Sequence, residues 1–203
     1  MLKKDVVAGL GEIGSPILQL ISKRNPAIGY DINQNLIDIK KYEKYEKLPT
    51  RFLHICIPYN SAFVQNVIEL AKKFNPSGIV IHSTVKPYTT KKIQTLLPIP
   101  IIYSATRGVH RRMRYDLKRY VKFYAIEPDS PKANLISIEY AKLMKKSGIK
   151  TKRMSNPITL ELAKLIVDTS YYGWLINYAQ LSNMIAIKHN VKIINENEFS
   201  SYL

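Results

Sequence analysis

Three glycines in the pattern G-x-G-x-x-G, Gly9, Gly11 and Gly14, constrain the fold of this chain more than any other feature. The pattern follows an apolar stretch that predicts a strand, and it opens residues 12–23, which predict a helix with Pro16 in its first turn. A dinucleotide site requires this strand–turn–helix context. In it, Gly9 permits the tight turn, Gly11 lets the backbone approach a pyrophosphate, and Gly14 lets the helix pack close to its strand. The helix N-terminus then offers N–H groups and a positive dipole end to the phosphates.

An acidic residue stands at the distance that such a site needs. Asp31 ends the second predicted strand, 22 positions after Gly9, close to the roughly 20 expected for a ribose-binding carboxylate. A carboxylate there accepts hydrogen bonds from the 2′-hydroxyl and repels a 2′-phosphate, so the pattern favours NAD over NADP. The alternative is an ordinary strand-to-helix turn with Asp31 as a helix cap.

Short apolar stretches alternate with helical patterns of 10 to 15 residues along the first three quarters of the chain. This alternation predicts βαβ units, a mostly parallel sheet and helices on both of its faces. We therefore expect an α/β, Rossmann-type doubly wound fold, followed by a long C-terminal helix. The predicted strands are 5–8, 27–31, 52–57, 78–82, 99–103, 121–126 and 151–154.

Polar residues mark the predicted helix starts. Asn33 is the expected N-cap of a helix that reaches about Tyr45, and Ser61 that of a helix ending at Phe74. The longest pattern, 157–189, predicts a helix buried against protein. Its polar residues between 165 and 187 fit a membrane poorly, so we expect no membrane span. We expect a dinucleotide-binding domain at 1–154, and the long helix and tail at 155–203 as a dimerisation or substrate-side element.

The chain is strongly basic, with 31 Lys and Arg against 15 Asp and Glu and a formal net charge of +16. The excess is spread along the chain: residues 1–103 hold 14 basic and 7 acidic residues, and residues 104–203 hold 17 and 8. Residues 107–122 are the densest basic segment. We expect this segment to attract a small acidic ligand or simply to be solvated, and nucleic acid is the less favoured alternative.

Cysteine and leader sequences bear on the compartment. The one cysteine, Cys56, excludes a disulfide within the chain, which fits a reducing environment. The first residues lack the apolar region and cleavage site of a signal peptide. We therefore expect a cytoplasmic protein. No cluster of residues has metal-ligand spacing, and we expect no metal.

A family resemblance rests on the glycine turn, Asp31 and two further segments, His54-Ile-Cys-Ile-Pro58 and His82-Ser-Thr-Val-Lys-Pro87. Together they resemble the N-terminal domain of UDP-glucose and GDP-mannose dehydrogenases, in the wider 6-phosphogluconate and β-hydroxyacid dehydrogenase superfamily. The resemblance implies NAD as cofactor and a second, C-terminal substrate domain that this sequence lacks. It also implies the following cofactor-binding positions in addition to the three glycines and Asp31: Glu12, Ile13, Ile57, Pro58, Ser83, Thr84 and Val85.

The long helix is similar to its counterpart in the same superfamily, where a Lys-x-x-x-Asn pair acts on the substrate hydroxyl. Here the pair is Lys164 and Asp168, which implies that Lys164 is an acid/base catalyst oriented by Asp168. The resemblance also places Tyr172 against the substrate. From the residues alone, Lys164 and Asp168 lie one helical turn apart, and a purely structural ion pair remains the alternative.

The loop after the fifth predicted strand carries two further candidates for substrate binding. Arg107 is a candidate bidentate clamp for a carboxylate or phosphate, and His110 a candidate proton donor or relay, unless it is only a surface residue. His54 and His82 lie in predicted buried strands and are expected to be core histidines. Cys56 is expected to be a core residue and not a nucleophile.

Two functions follow as hypotheses. The first is an NAD-dependent oxidoreductase acting on the hydroxyl of an acidic substrate such as a hydroxy acid or a nucleotide sugar, closed by homodimerisation through the long helix. The alternative is a non-catalytic module that binds NAD or a nucleotide sugar. Retention on DNA or RNA that depends on salt would indicate nucleic-acid binding instead.

Overall fold

A computed structural model describes residues 2–190, and the chain divides into two compact units, Met1–Leu162 and Ala163–Leu203. The first unit is built on a single sheet of seven strands. In chain order these are β1 (Lys4–Ala8), β2 (Ala27–Tyr30), β3 (Thr50–Ile55), β4 (Gly78–Ile81), β5 (Ile101–Tyr103), β6 (Lys122–Ile126) and β7 (Thr151–Arg153).

The spatial order of the strands is β2-β1-β3-β4-β5-β6-β7. All neighbouring pairs are parallel except β5 and β6, where Tyr103 lies opposite Ala125 in an antiparallel pair. The chain runs from β1 outward to β2 and then returns to β3 on the other side of β1. This reversal is the topological switch point at which doubly wound sheets bind their ligands. The predicted fold class, a mostly parallel doubly wound sheet, is confirmed.

Alternation along the strands divides the core into two layers. On β1, Val7 packs into one apolar cluster while Val6 and Ala8 pack into the other. On β3, Phe52 belongs to the first cluster, and Leu53 to the second. Both faces of the central strands are therefore covered, which explains why these strands are almost continuously apolar.

Eight α-helices occur among residues 2–190, together with short 3₁₀ turns. They are α1 (Gly14–Ile21), α2 (Ile39–Tyr42), α3 (Phe63–Phe74), α4 (Thr89–Leu96), α5 (Met113–Arg119), α6 (Ala133–Lys146), α7 (Pro157–Ile166) and α8 (Tyr172–Lys188). The 3₁₀ turns are Gln34–Leu36, Glu43–Tyr45 and His110–Arg112.

The predicted cap at Asn33 is confirmed, but it starts only the 3₁₀ turn Gln34–Leu36, and the predicted helix to Tyr45 is wrong. The single helix expected from Asn33 is broken: the Asn33 side chain accepts from the Asn35 N–H at 3.1 Å, and Asp38 accepts from the Lys41 N–H at 3.2 Å to start α2 afresh. A short polar side chain inside the pattern thus competes for backbone N–H groups and restarts the helix.

At α3 the N-cap is Ala62, one residue after the expected Ser61. The Asn60 side chain accepts from the Ala62 N–H at 3.0 Å, so Asn60 shapes the entry to the helix and Ser61 does not cap it.

Residues 157–188 form one long helix interrupted by a π-helical turn at Val167–Tyr171. The turn coincides with a hydrogen bond from the Thr169 hydroxyl to the Leu165 carbonyl oxygen at 2.7 Å, a contact that perturbs helices. The prediction that this helix is buried is wrong, because most side chains of α8 are exposed; Trp174 is 74% exposed. A pattern that is apolar all round predicts coverage but does not say what supplies it. None of the described helices is long and apolar enough to span a membrane.

Candidate functional site

A cleft of about 940 Å³ opens at the carboxyl ends of β1 to β4, at the β1/β3 switch point. Its size is typical of small-molecule and cofactor sites. The lining residues come from the glycine turn, from the ends of β2 and β3, from the loop after β4 and from one face of α3. They are Ala8, Gly9, Gly11, Glu12, Ile13, Tyr30, Asp31, Ile32, Leu36, Cys56, Ile57, Pro58, Tyr59, Asn60, Asn66, Glu69, Leu70, Lys73, Ser83, Thr84 and His110.

The three glycines of the turn have three different surroundings. Gly9 has φ +89°, and a Cβ there would lie 2.8 Å from the Cys56 carbonyl group. A Cβ on Gly14 would lie 1.7 Å from the Gly9 carbonyl oxygen, because α1 packs directly onto the turn. A Cβ on Gly11 would meet nothing within 4 Å. The cleft is therefore open at the position where a pyrophosphate needs close approach to the backbone.

Asp31 lies beside this turn and is held to it. Its Oδ2 accepts a hydrogen bond from the Leu10 N–H at 2.6 Å, and its Oδ1 accepts from the Asn33 N–H at 2.8 Å. Each carboxylate oxygen has further acceptor capacity. The side chain is thus fixed at the cleft wall with capacity for two more donors, such as the hydroxyls of a ribose.

The loops after β3 and β4 form the wall across the cleft from Asp31. Ile57 and Pro58 line it, and the Ser83 hydroxyl donates to the Ile57 carbonyl oxygen at 2.6 Å, so the two loops are tied together. Thr84 also lines the cleft. Val85 does not, because its side chain is buried in the second apolar cluster. Of the predicted cofactor positions, only Gly14 and Val85 lie behind the cleft surface.

His110 meets the glycine turn at the mouth of the cleft. Its Nδ1 contacts Oε2 of Glu12, and both side chains are largely exposed. Arg107 does not line the cleft; its guanidinium lies over the Tyr120 ring, 5.4 Å from the ring centre. The structure therefore brings His110, and not Arg107, to the candidate cofactor site.

The basic segment 107–122 is organised around a buried acid. The Asp116 Oδ2 accepts from the Val109 N–H at 2.9 Å and from the Arg112 guanidinium at 3.1 Å. The hydrogen bond from Val109, together with Arg112 and Arg119, lowers the pKa of Asp116. A Cβ on Gly108 would lie 2.7 Å from the Cβ of Asp116, so only glycine fits there. One carboxylate thus shapes the loop that carries His110.

His54 and His82 form a buried pair, in agreement with their prediction as core histidines. The His82 Nδ1 donates to the Ser104 carbonyl oxygen at 3.1 Å, so its Nε2 accepts from the His54 Nδ1 at 2.9 Å. Burial, assisted by the nearby Lys122 cation, lowers the pKa of His54 to about 3 and that of His82 well below its ordinary value. Both rings are therefore neutral at pH 7.

Lys122 lies beneath the loop after β5 and is itself buried. Its Nζ donates to the carbonyl oxygens of Ser104 and Ala105 at 2.7 and 3.0 Å, and to the Thr106 hydroxyl at 3.0 Å. A buried ammonium needs such acceptors. Through Ser104, the lysine and the two histidines join the loops after β4 and β5 into one polar network.

Cys56 follows the end of β3 and lines the cleft, half-buried rather than in the middle of a strand. Burial raises the pKa of its thiol to about 12, against a small opposing effect of Lys122. Because the thiolate is the nucleophilic form, this cysteine is unreactive at neutral pH.

In the second unit, Lys164 and Asp168 form the expected i,i+4 pair, with Nζ 2.8 Å from Oδ2. Asp168 lies within the π-helical turn, and Tyr172 begins α8 immediately after it. Turns of this kind are frequent at functional sites, and nothing in the residue pattern predicted one here. The geometry by itself is that of an ion pair, which both the catalytic and the structural interpretation require.

Sequence reasoning missed the wall of the cleft formed by α3. Asn66, Leu70 and Lys73 lie on one face of this helix, and the Lys73 Nζ sits 4.1 Å above the Tyr30 ring. The wall could have been predicted from the polar residues at helical spacing on α3, because this helix follows β3, a strand on the cofactor side. Among residues 2–190, no group of three or more His, Cys, Asp and Glu side chains is placed to hold a metal ion.

By sequence, the chain matches no protein-family profile and no curated protein. Its fold, however, matches solved dehydrogenase and reductase structures. A UDP-D-ManNAc dehydrogenase from Pyrococcus horikoshii matches with a TM-score of 0.73 and 19% identity, over 93% of this chain and 55% of that enzyme. The 3-hydroxyisobutyrate dehydrogenase of Mycobacterium tuberculosis matches with a TM-score of 0.67 and 11% identity, over 95% and 67%. A reductive aminase from Aspergillus terreus, in complex with NADPH, matches with a TM-score of 0.68 and 11% identity, over 100% and 71%.

These likenesses define the class of fold. The chain shares its Rossmann-type α/β fold with these UDP-D-ManNAc and 3-hydroxyisobutyrate dehydrogenase structures. It spans little more than half the length of the Pyrococcus enzyme.

Proposed function

We propose that this protein is an NAD-dependent oxidoreductase that acts on the hydroxyl group of an acidic substrate, such as a hydroxy acid or a nucleotide sugar. The observation that carries the proposal is the cleft at the switch point, with open space at Gly11 and a fixed carboxylate at Asp31. The structural neighbours support it, since they are dehydrogenases and reductases of the same fold.

The residues of the cleft fit a dinucleotide. The first N–H groups of a helix have no acceptor within the helix, so the start of α1, beside the glycine turn, suits a pyrophosphate. Asp31 would accept from the ribose hydroxyls and would repel a 2′-phosphate, which favours NAD. The second wall, with Ile57, Pro58, Ser83 and Thr84, would take the other half of the cofactor. When bound, the nicotinamide supplies the hydride chemistry.

We assign the proton transfer of this reaction to Lys164. Its Nζ would hold or release the proton of the substrate hydroxyl, and Asp168 would orient the ammonium through the 2.8 Å ion pair. Of the two candidates on the loop after β5, His110 lines the cleft and would contact the acidic group of the substrate, whereas the Arg107 guanidinium lies over the Tyr120 ring.

Binding and turnover test this function separately. Calorimetry with NAD and NADP is expected to show tighter binding of NAD. Turnover is then measured on hydroxy acids and UDP-sugars with wild type, Lys164→Ala and the matched control Lys188→Ala from the same helix. We expect loss of activity only in Lys164→Ala. Tight NAD binding without turnover on any of these substrates would instead identify a non-catalytic NAD-binding module.

We further propose a homodimer formed through α8. Trp174, Tyr178, Leu181 and Ile185 follow one another at helical spacing and are each more than half exposed. A continuous apolar stripe of this kind is typical of an association surface. Light scattering after size exclusion is expected to give twice the chain mass for wild type and the chain mass for Leu181→Lys. A wild-type monomer at high protein concentration would refute the dimer.

A further inference from the structure

Glu161 is a fully buried carboxylate whose three hydrogen bonds all reach one short stretch of the chain. Its Oε2 accepts from the Tyr88 N–H at 2.7 Å. Its Oε1 accepts from the Thr90 N–H at 2.9 Å and from the Thr90 hydroxyl at 2.6 Å. Charge-assisted hydrogen bonds of this length are among the stronger ones in proteins. A buried charge is tolerated only when it is satisfied in this way, so Glu161 is committed to residues 88–90.

The stretch that Glu161 holds is the entry to α4, in a conformation that needs support. Tyr88 has φ +68°, the left-handed region that non-glycine residues rarely adopt. The Thr89 hydroxyl and N–H both bond the Lys86 carbonyl oxygen, at 2.6 and 3.2 Å, which closes a tight turn just before the helix. The positive end of the α4 dipole also favours a carboxylate here. Glu161 thus stabilises a strained turn.

This turn ends the loop that begins at the cleft. Ser83 and Thr84 line the cleft, Ser83 is tied to Ile57, and Val85 is anchored in the core. The loop is therefore fixed at its start by a hydroxyl, in its middle by an apolar side chain, and at its end by Glu161. In the strand order, β4 is separated by two strands from β2, which Asp31 follows directly. The loop and Asp31 are consequently at opposite ends of the site.

We propose that Glu161 is a positioning residue for the nicotinamide end of the dinucleotide site, acting through the loop 83–88 and leaving the adenosine end untouched. The inference rests on the proposed function, since it assumes that the cleft binds NAD. It deepens that function by assigning the two ends of the site to two separately supported structures: the glycine turn with Asp31, and the loop held by Glu161.

Two ligands separate the two ends. ADP engages only the adenosine and pyrophosphate end, whereas NAD also carries the second ribose and the nicotinamide. Calorimetry is done with wild type, Glu161→Ala, Glu161→Gln and Thr90→Val, which removes a single bond to the carboxylate. Glu127→Gln is the matched control, because Glu127 is a second carboxylate close enough to Glu161 for their charges to interact.

We expect the ADP Kd to stay within about twofold in every variant. The NAD Kd is expected to rise about tenfold in Glu161→Ala and less in Glu161→Gln and Thr90→Val, with no change in the control. The fluorescence of bound NADH gives a second readout, because its emission reports the surroundings of the nicotinamide ring. At saturation, we expect Glu161→Ala to shift this emission toward that of free NADH.

If both ligands bound more weakly to the same degree, Glu161 would merely stabilise the whole unit. If NAD binding were unchanged, the loop would not depend on Glu161. Either result overturns the inference. If Glu161→Ala does not fold, the Gln and Thr90→Val variants decide by the same comparison. Failure of wild type to bind either ligand would overturn the proposed function itself, and the inference with it.

Discussion

Two glycines only three positions apart are expected to respond to the same added methyl group in opposite ways. At Gly14 an alanine Cβ would lie 1.7 Å from the Gly9 carbonyl oxygen and 2.8 Å from the carbonyl carbon. Because the obstacle is backbone, α1 must move away from the turn. Overpacking of this kind costs about 3 kcal/mol or more, a large part of the total stability of a domain. We expect Gly14→Ala to be strongly destabilised.

At Gly11 the same methyl group meets open space. Gly11 does not have a left-handed φ, so alanine is tolerated, and the loss of freedom in the unfolded chain stabilises the fold by up to about 1 kcal/mol. The methyl group would, however, occupy the position that a pyrophosphate must approach. We therefore expect NAD to bind Gly11→Ala at least about tenfold more weakly, equivalent to about 1.4 kcal/mol.

Urea unfolding followed by circular dichroism gives the free energies, and calorimetry gives the NAD Kd. Gly173→Ala is the control, since a Cβ at Gly173 also meets nothing within 4 Å and lies in another helix. The reasoning would be refuted if Gly11→Ala were as unstable as Gly14→Ala, or if it were stable and bound NAD like wild type.

Three further predictions concern pH, cofactor choice and the basic loop. The folded pKa of His54 is about 3, below its ordinary 6.5, so the free energy of unfolding is full above pH 6.5 and falls as the pH drops toward 3. The loss is up to about 1.4 kcal/mol per pH unit for each histidine. Urea unfolding between pH 7 and 4 should show a shallower dependence on pH for His54→Asn than for wild type, and equal slopes would contradict the assignment. Asp31→Ala should weaken NAD binding about tenfold and raise relative affinity for NADP, whereas Asp38→Ala should change neither, as calorimetry can check. Asp116→Ala should release the loop that the carboxylate holds through Val109 and Arg112. Limited trypsin digestion should then cut this loop several-fold faster, while the β-sheet circular dichroism is retained. Unchanged cleavage would show that the carboxylate does not order the loop.

The sequence was sufficient to predict the fold because its main signals are local. The glycine turn, the apolar strands and the spacing to Asp31 each depend on neighbouring residues, and the structure places Asp31 against the turn as that spacing requires. The helix after Asn33 was mispredicted because Asp38 is a second, equally good cap, and helix propensity does not decide between them.

The parts of the site that could not be predicted depend on contacts between distant residues. Glu161 bonds residues more than 70 positions earlier, and the histidine pair joins positions 28 apart. A single sequence contains no signal for such pairings. The α3 wall and the Glu12–His110 contact belong to the same class, since each requires the sheet order before its residues can be brought together.

The π-helical turn at Val167–Tyr171 sets the angular phase of α8, which follows it directly. One extra residue in a helix advances all later side chains by about 100° around the axis. Deleting a single residue from this turn would leave the composition of α8 almost unchanged, yet it would swing the stripe from Trp174 to Ile185 by more than a quarter of a revolution relative to Lys164. The direction in which this helix presents its apolar side chains is thus encoded by an insertion rather than by the side chains themselves.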